Sequence, residues 1–156
     1  MKHKLRLAQW LALGVPALLL GGAYLSQYGF GLFPCEMCWW QRDAHFAALG
    51  LALVSFAVPP KPLWIALAAL AALASGIIGG FHAGVEYGWW EGLTACSSSV
   101  DSSTGDPLSA IMNAPLIRCD VAPWTLAGIS LAGFNAIISS ISALAILGLL
   151  AKARRV

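Results

Sequence analysis

Cys35 and Cys38 stand three residues apart in Pro34-Cys35-Glu36-Met37-Cys38, directly before an apolar run of helix length. Neighbours at that spacing on one helical face lie roughly 5 to 6 Å apart, within disulfide reach. So close a pair makes a small, readily exchanged ring. A helix N-terminus also favours negative charge, which makes a thiol there a better leaving group and electron donor, and Cys38 lies deeper in the helix than Cys35. Cys96 and Cys119 form a second pair, 23 positions apart in one later connection, a separation suited to a loop-closing disulfide. Either pair alone reads equally well as a static staple. Two pairs on one side of a membrane can pass electrons by successive thiol–disulfide exchange, and that combination points to a relay.

Three more residues bear on the chemistry. Arg42 follows Cys38 by four positions and so shares its helical face. Its guanidinium can hold a thiolate or the carbonyl oxygen of a bound ligand, or it can snorkel to the interface beside Asp43; the two readings stand level. His82 and Glu86 are also four apart, able to line a site, handle protons or join cysteines as metal ligands. The plainer reading, a hydrogen-bonded interface histidine, is preferred, with proton handling second. His3 belongs to a basic N-terminal cluster, and His45 falls inside a helix.

These residues need a scaffold, and composition names its solvent. The chain of 156 residues is 59% hydrophobic and 10% charged, more apolar than a soluble domain of this size can bury. Four runs carry no Asp, Glu, Lys or Arg: Leu7–Cys35, Ala44–Pro60, Pro62–Val85 and Val121–Ala151. Each approaches the roughly 20 residues that a helix needs to span the hydrocarbon core. The expectation is an all-α membrane protein: one domain over 1–156, a four-transmembrane-helix bundle with helices near 7–27, 39–58, 63–83 and 124–150. Its two periplasmic loops are 28–38 and 86–123. Val58-Pro59-Pro60-Lys61-Pro62 is the tight turn between the middle helices. In the second loop 97–105 is polar, and Asp106-Pro107 reads as the start of a short helix lying on the membrane.

Charge orients the bundle. Lys2, Lys4, Arg6, Lys61, Lys152, Arg154 and Arg155 fall at the termini and the middle turn, whereas all seven acids, with Arg42 and Arg118, fall in the other two connections. The positive-inside rule puts both termini in the cytoplasm and all four cysteines outside, where a bacterium keeps thiols oxidised. Basic residues so placed report topology, which excludes a nucleic-acid reading. The seven tryptophans stand near helix ends as an interfacial belt. The first apolar run is long for a signal peptide and is expected to stay as an anchor.

At these residues the chain resembles the disulfide bond formation protein B family, quinone-linked membrane oxidases of the bacterial periplasm. Pro34-Cys35-Glu36-Met37-Cys38-Trp39-Trp40-Gln41-Arg42 looks like the family's Pro-Cys-x-x-Cys-x-x-x-Arg signature. Phe81-His82-Ala83-Gly84-Val85-Glu86-Tyr87-Gly88-Trp89-Trp90 leading to Cys96, and Cys119-Asp120 leading to Trp124, are similar to further segments of its members. Met37 stands where Leu is common and Gln41 where Glu is common, leaving the cysteines and Arg42 in register.

The resemblance implies a protein-disulfide:quinone oxidoreductase of the inner membrane, with ubiquinone or menaquinone as cofactor and no metal. Its partner would be a periplasmic thioredoxin-like, DsbA-like thiol:disulfide oxidase. That oxidase, when reduced, would attack the Cys96–Cys119 disulfide at Cys96; Cys119 would attack Cys35, and Cys38 would be released as a thiolate against quinone held with Arg42. Two rivals remain. A vitamin K epoxide reductase relative shares the bundle and four cysteines but places the loop pair before the C-x-x-C, where here it follows. A non-catalytic membrane protein would instead use the cysteines and His82 to bind zinc or copper.

Overall fold

The computed structural model describes residues 2–93 and 117–154. Cys96, the polar stretch 97–105 and the short helix expected from Asp106 lie outside the described residues. Among the described residues four helices follow in chain order: α1 (Lys2–Phe30), α2 (Glu36–Ala57), α3 (Lys61–Glu86) and α4 (Leu131–Arg154). By length and hydropathy α1, α3 and Leu131–Ala153 of α4 are each able to cross a membrane. The fourth helix, α2, is 22 residues long but carries Glu36, Gln41, Arg42, Asp43 and His45 in its first turns, which lowers its hydropathy.

Local chemistry sets the boundaries. The charged turn Lys2–Arg6 joins α1, because charge opposes burial in hydrocarbon and not helix formation. Val58-Pro59-Pro60 closes α2, since proline offers no N–H to continue the ladder, and Pro62 then sits in the first turn of α3, where none is needed. α3 runs on to Glu86 and ends in a Schellman turn: Trp89 N–H donates to Gly84 O at 2.8 Å and Gly88 N–H to Val85 O at 3.0 Å, with Gly88 at φ 71°. The last helix starts at Leu131 and not near 124. Ala127 and Gly128 take φ 52° and 79°, the primed-turn geometry of a two-residue hairpin, so Thr125–Leu126 (β1) pairs antiparallel with Ile129–Ser130 (β2) before the helix begins. This hairpin is the one departure from an all-helical fold among the described residues.

The helices form a closed four-membered ring in which α1 and α3 each pack between α2 and α4. At one end the core is mostly alanine: Ala8, Ala12, Ala52, Ala68 and Ala69 with Ile65, Ile146 and Leu150. Small side chains let backbones approach, which is how helices gain contact in lipid. Gly79 does the same between α3 and α4, where a Cβ would lie 2.9 Å from Ala132 O and from Asn135 Nδ2. At the other end a second core gathers Cys35, Met37, Val85 and Cys119, with Cys38, Phe81 and Ile117 against it. Lys2, Lys4, Arg6, Lys61 and Lys152 all lie at the end away from these cysteines.

Candidate functional site

Cys35 is the N-cap of α2. Its extended backbone (φ −78°, ψ 178°) turns its sulfur back over the first turn, where it accepts from Cys38 N–H at 3.4 Å. Cys38 Sγ lies 3.1 Å from Cys35 Sγ, with the Cys35 thiol as donor. Giving its proton to Cys38, together with burial, pushes the Cys35 thiol up to about 12. The pair is thus polarised, with the Cys35 proton directed at Cys38 Sγ.

Cys119 arrives from the other side, in the segment leading to α4. It is buried, and its Sγ, Cys35 Sγ and an imidazole nitrogen of His82 all lie within 4.8 Å of one another. Arg118 forks both oxygens of Asp120, its Nε donating at 2.8 Å, and so brackets the backbone at Cys119. That ion pair is half exposed, and it holds the Asp120 carboxyl below the usual range. Tyr87 ties the approach to α4: its hydroxyl donates to Gly128 O and accepts from Ser130 N–H, each at 3.0 Å. Two sulfurs and an imidazole at this spread are also the donor set of a soft metal ion.

A buried polar network backs the cysteines. His82 Nε2 is 3.5 Å from Cys35 Sγ and 3.8 Å from Glu86 Oε1. Gln41 Nε2 donates to Met37 O and to His82 Nδ1, each at 3.0 Å. Asn135 Nδ2 donates to Gln41 Oε1 at 2.8 Å and to Ser75 O at 3.1 Å, and Ser75 Oγ donates to Gln41 O at 3.0 Å. Asn135 Oδ1 accepts from Ser139 Oγ at 2.7 Å and faces His45 Nε2 at 2.8 Å.

Beside this network lies a cavity of about 250 Å³, walled by aliphatic side chains of α1 and α4. Cys38, Gln41, Arg42, His45, His82 and Glu86 supply its polar points. Cys38 also lines a second cavity with Cys35, Ile117, Arg118 and Val121, so its sulfur lies on the wall between the two. Arg42 is buried, facing α1: NH2 donates to Ala23 O at 3.1 Å and NH1 to Gln27 Oε1. Its guanidinium carbon lies 4.9 Å from the Tyr24 ring centre and 5.0 Å from that of Trp39. Among the described residues no carboxylate pairs with it, Asp43 included, so a cation stands uncompensated at the cavity wall.

Cys35, Cys38, Cys119, Arg42, His82 and Glu86 therefore converge on one end of the bundle, while Cys96 lies outside the described residues. Gln41, Ser75 and Asn135 are the members that sequence reasoning passed over. Asn135 had a signal: it is the one side-chain amide in the charge-free run Val121–Ala151, and an amide at membrane depth needs a partner.

Comparison with known proteins agrees in order and extent. The family described as Disulfide bond formation protein DsbB matches residues 5–149. A Disulfide bond formation protein B of Verminephrobacter eiseniae is 32% identical, with 96% of this chain and 88% of that protein covered. An uncharacterized protein of Rickettsia prowazekii is 23% identical over 96% of this chain and 89% of its own length. No solved structure matches the chain.

Proposed function

The chain belongs to the disulfide bond formation protein B family, and from that premise we propose that it is a quinone-dependent protein thiol oxidoreductase of the bacterial inner membrane. All four helices span the bilayer, termini cytoplasmic and cysteines periplasmic. Support for that orientation is the separation of the lysine-rich end from the cysteine end. The observation that carries the reading is the placing of sulfurs: Cys119 within 4.8 Å of Cys35, and Cys38 beside Cys35 on the wall of the apolar cavity.

A reduced thioredoxin-like periplasmic oxidase attacks Cys96 of the Cys96–Cys119 disulfide, and the electron pair of the broken bond leaves on Cys119. Cys119 attacks Cys35; the Cys35–Cys38 bond breaks and its pair leaves on Cys38. The partner's second thiol displaces Cys96, releasing the oxidised partner. Cys96 then recloses on Cys119 and expels Cys35. The two electrons taken from the partner now rest on Cys35 and Cys38.

The cavity would suit a quinone: aliphatic walls for ring and tail, and the buried Arg42, with no carboxylate in salt-bridge reach among the described residues, to hold a ring oxygen. Bound ubiquinone or menaquinone supplies the acceptor of two electrons and two protons. Arg42 orients that ring against Cys38 and stabilises the Cys38 thiolate, while the apolar walls exclude water. The test is quinone reduction by the membrane-embedded protein fed with a purified, reduced thioredoxin-like oxidase. One quinol per disulfide formed is expected; partner oxidation that proceeds unchanged without quinone or oxygen would overturn the proposal.

A further inference from the structure

The directions of the Gln41 and Asn135 amide bonds beside His82 are fixed by two atoms that can only accept. Met37 O is a backbone carbonyl, so the Gln41 side-chain atom 3.0 Å from it is the NH2 group and not the oxygen. Ser75 O fixes Asn135 in the same way, at 3.1 Å from Nδ2, and the second hydrogen of that amide goes to Gln41 Oε1. The two amides thus confirm one another's orientation. Gln41 has one hydrogen left, and it points at His82 Nδ1, 3.0 Å away. Nδ1 must accept. A neutral imidazole carries one proton, so that proton sits on Nε2, the nitrogen 3.5 Å from Cys35 Sγ.

We infer that Gln41 is a positioning residue that locks His82 in the Nε2–H tautomer and turns its N–H toward Cys35 Sγ and the backbone of Cys119. The use made of that N–H rests on the relay proposed above; the tautomer does not. When Cys96, as a thiolate, attacks Cys119, the Cys119–Cys35 bond breaks and its electron pair comes to rest on Cys35 Sγ. One thiolate replaces another, and no proton need move. Nε2–H donates to the new thiolate, beside the N–H of Cys38 that already faces it. In this step His82 acts as a hydrogen-bond donor, and Nδ1 stays occupied by the Gln41 amide.

The experiment is nitrogen-15 spectroscopy of the histidine-labelled, reduced full chain in lipid, with His3→Gln and His45→Gln variants assigning the three signals. Nε2–H is expected for His82. Gln41→Glu places an acceptor at Nδ1 and should move the proton there; Gln41→Leu, which keeps the volume and removes the lock, should give a tautomer mixture. Hydrogen bonds to charged groups set the expected kinetic effect: roughly ten- to a hundredfold slower release of Cys35 by a small dithiol in Gln41→Glu, with a smaller loss in Gln41→Leu. Nδ1–H in the unaltered chain, or Nε2–H retained in both variants, overturns the lock. A tautomer that moves as expected while Cys35 exchanges at the unaltered rate overturns the role given to the N–H. Loss of quinone reduction with both results intact would count against the relay alone.

Discussion

Cys35 caps the helix that carries Cys38, and its sulfur faces three neighbours at once: Cys38 Sγ at 3.1 Å, His82 Nε2 at 3.5 Å and Cys119 Sγ within 4.8 Å. In the proposed relay it is the sulfur that links the two cysteine pairs. There Cys96 returns to Cys119 and expels Cys35, so removing Cys96 together with Cys38 leaves no thiol of the chain able to part Cys35 from Cys119. In Cys38→Ser/Cys96→Ser, non-reducing peptide mapping should find the Cys35–Cys119 bond in most molecules and quinone reduction abolished. Finding Cys35 and Cys119 both as free thiols under the same oxidising conditions would show that the approach of Cys119 to Cys35 is not used.

Cys119→Ala removes the resolving thiol, so Cys96 should hold the partner as a mixed disulfide visible on a non-reducing gel. Cys96→Ser should form no adduct and pass no electrons from the partner, while the Cys35–Cys38 disulfide still reacts with small dithiols. Turnover of the partner at the normal rate in Cys96→Ser would remove Cys96 as the entry point.

The Cys35 thiol, pushed up to about 12 by its bond to Cys38 and by burial, sets a pH dependence. A raised value keeps the proton on Cys35 through the pH range in which an ordinary thiol ionises. Alkylation of the reduced chain should label Cys38 first. Labelling of Cys35, read by peptide mapping in Cys119→Ser so that Cys38 stays in place, should still be rising above about pH 10; a plateau by about pH 10 would show an ordinary thiol.

Gly84 lies under the Trp90 ring, where an added Cβ would come within 2.1 Å of Cζ2. Trp90 is held there by its Nε1 bond to Phe81 O at 2.9 Å and by stacking on Phe81. Gly84→Ala must displace the ring and loosen the outer end of α3. The expected cost is about 1–3 kcal/mol, read as a lower unfolding midpoint in detergent. Gly21→Ala, with nothing within 4 Å, is the control and should be neutral or slightly stabilising. Equal midpoints for the two would mean that Trp90 moves away freely.

The sequence made the helices legible because charge-free runs and prolines speak directly to hydrocarbon length and helix ends. It also put Cys38 and Arg42 on one face, through a spacing fixed by helix geometry alone. The approach of Cys119 to Cys35 was implied by the family resemblance and not by spacing, since it depends on the path of a long connection and on Tyr87 pinning the hairpin before α4. The Gln41–Asn135 contact was hidden. It exists only because Gly79 lets α4 come within 2.9 Å of where a Cβ would stand, and a glycine in an apolar run does not say which helix it admits. The hairpin at Ala127-Gly128 was missed because apolar residues on both sides read as continuous helix.

Arg42 offers the sharpest division between two roles. Its cation is buried between Tyr24 and Trp39 and bound to Ala23 O and Gln27, with no carboxylate on it among the described residues. A purely structural arginine would be expected to pair with Asp43 or reach water, because an uncompensated buried charge is costly. Charge left open at a cavity is useful when the ligand or Cys38 becomes negative. Arg42→Ala should therefore raise the quinone KM roughly ten- to a hundredfold, the worth of one hydrogen bond to a charged group at about 1.5–3 kcal/mol. Any absorbance band linking the Cys38 thiolate to quinone should weaken with it, while exchange between the partner and Cys96 continues. Arg42→Lys keeps the charge but loses the planar fork, and should fall between the two. Steady-state rates at varied quinone, in membranes carrying equal amounts of each protein, decide the matter. An unchanged KM with altered insertion or a lower unfolding midpoint would assign Arg42 to holding α2 against α1, and would leave the ring oxygen to another group on the cavity wall.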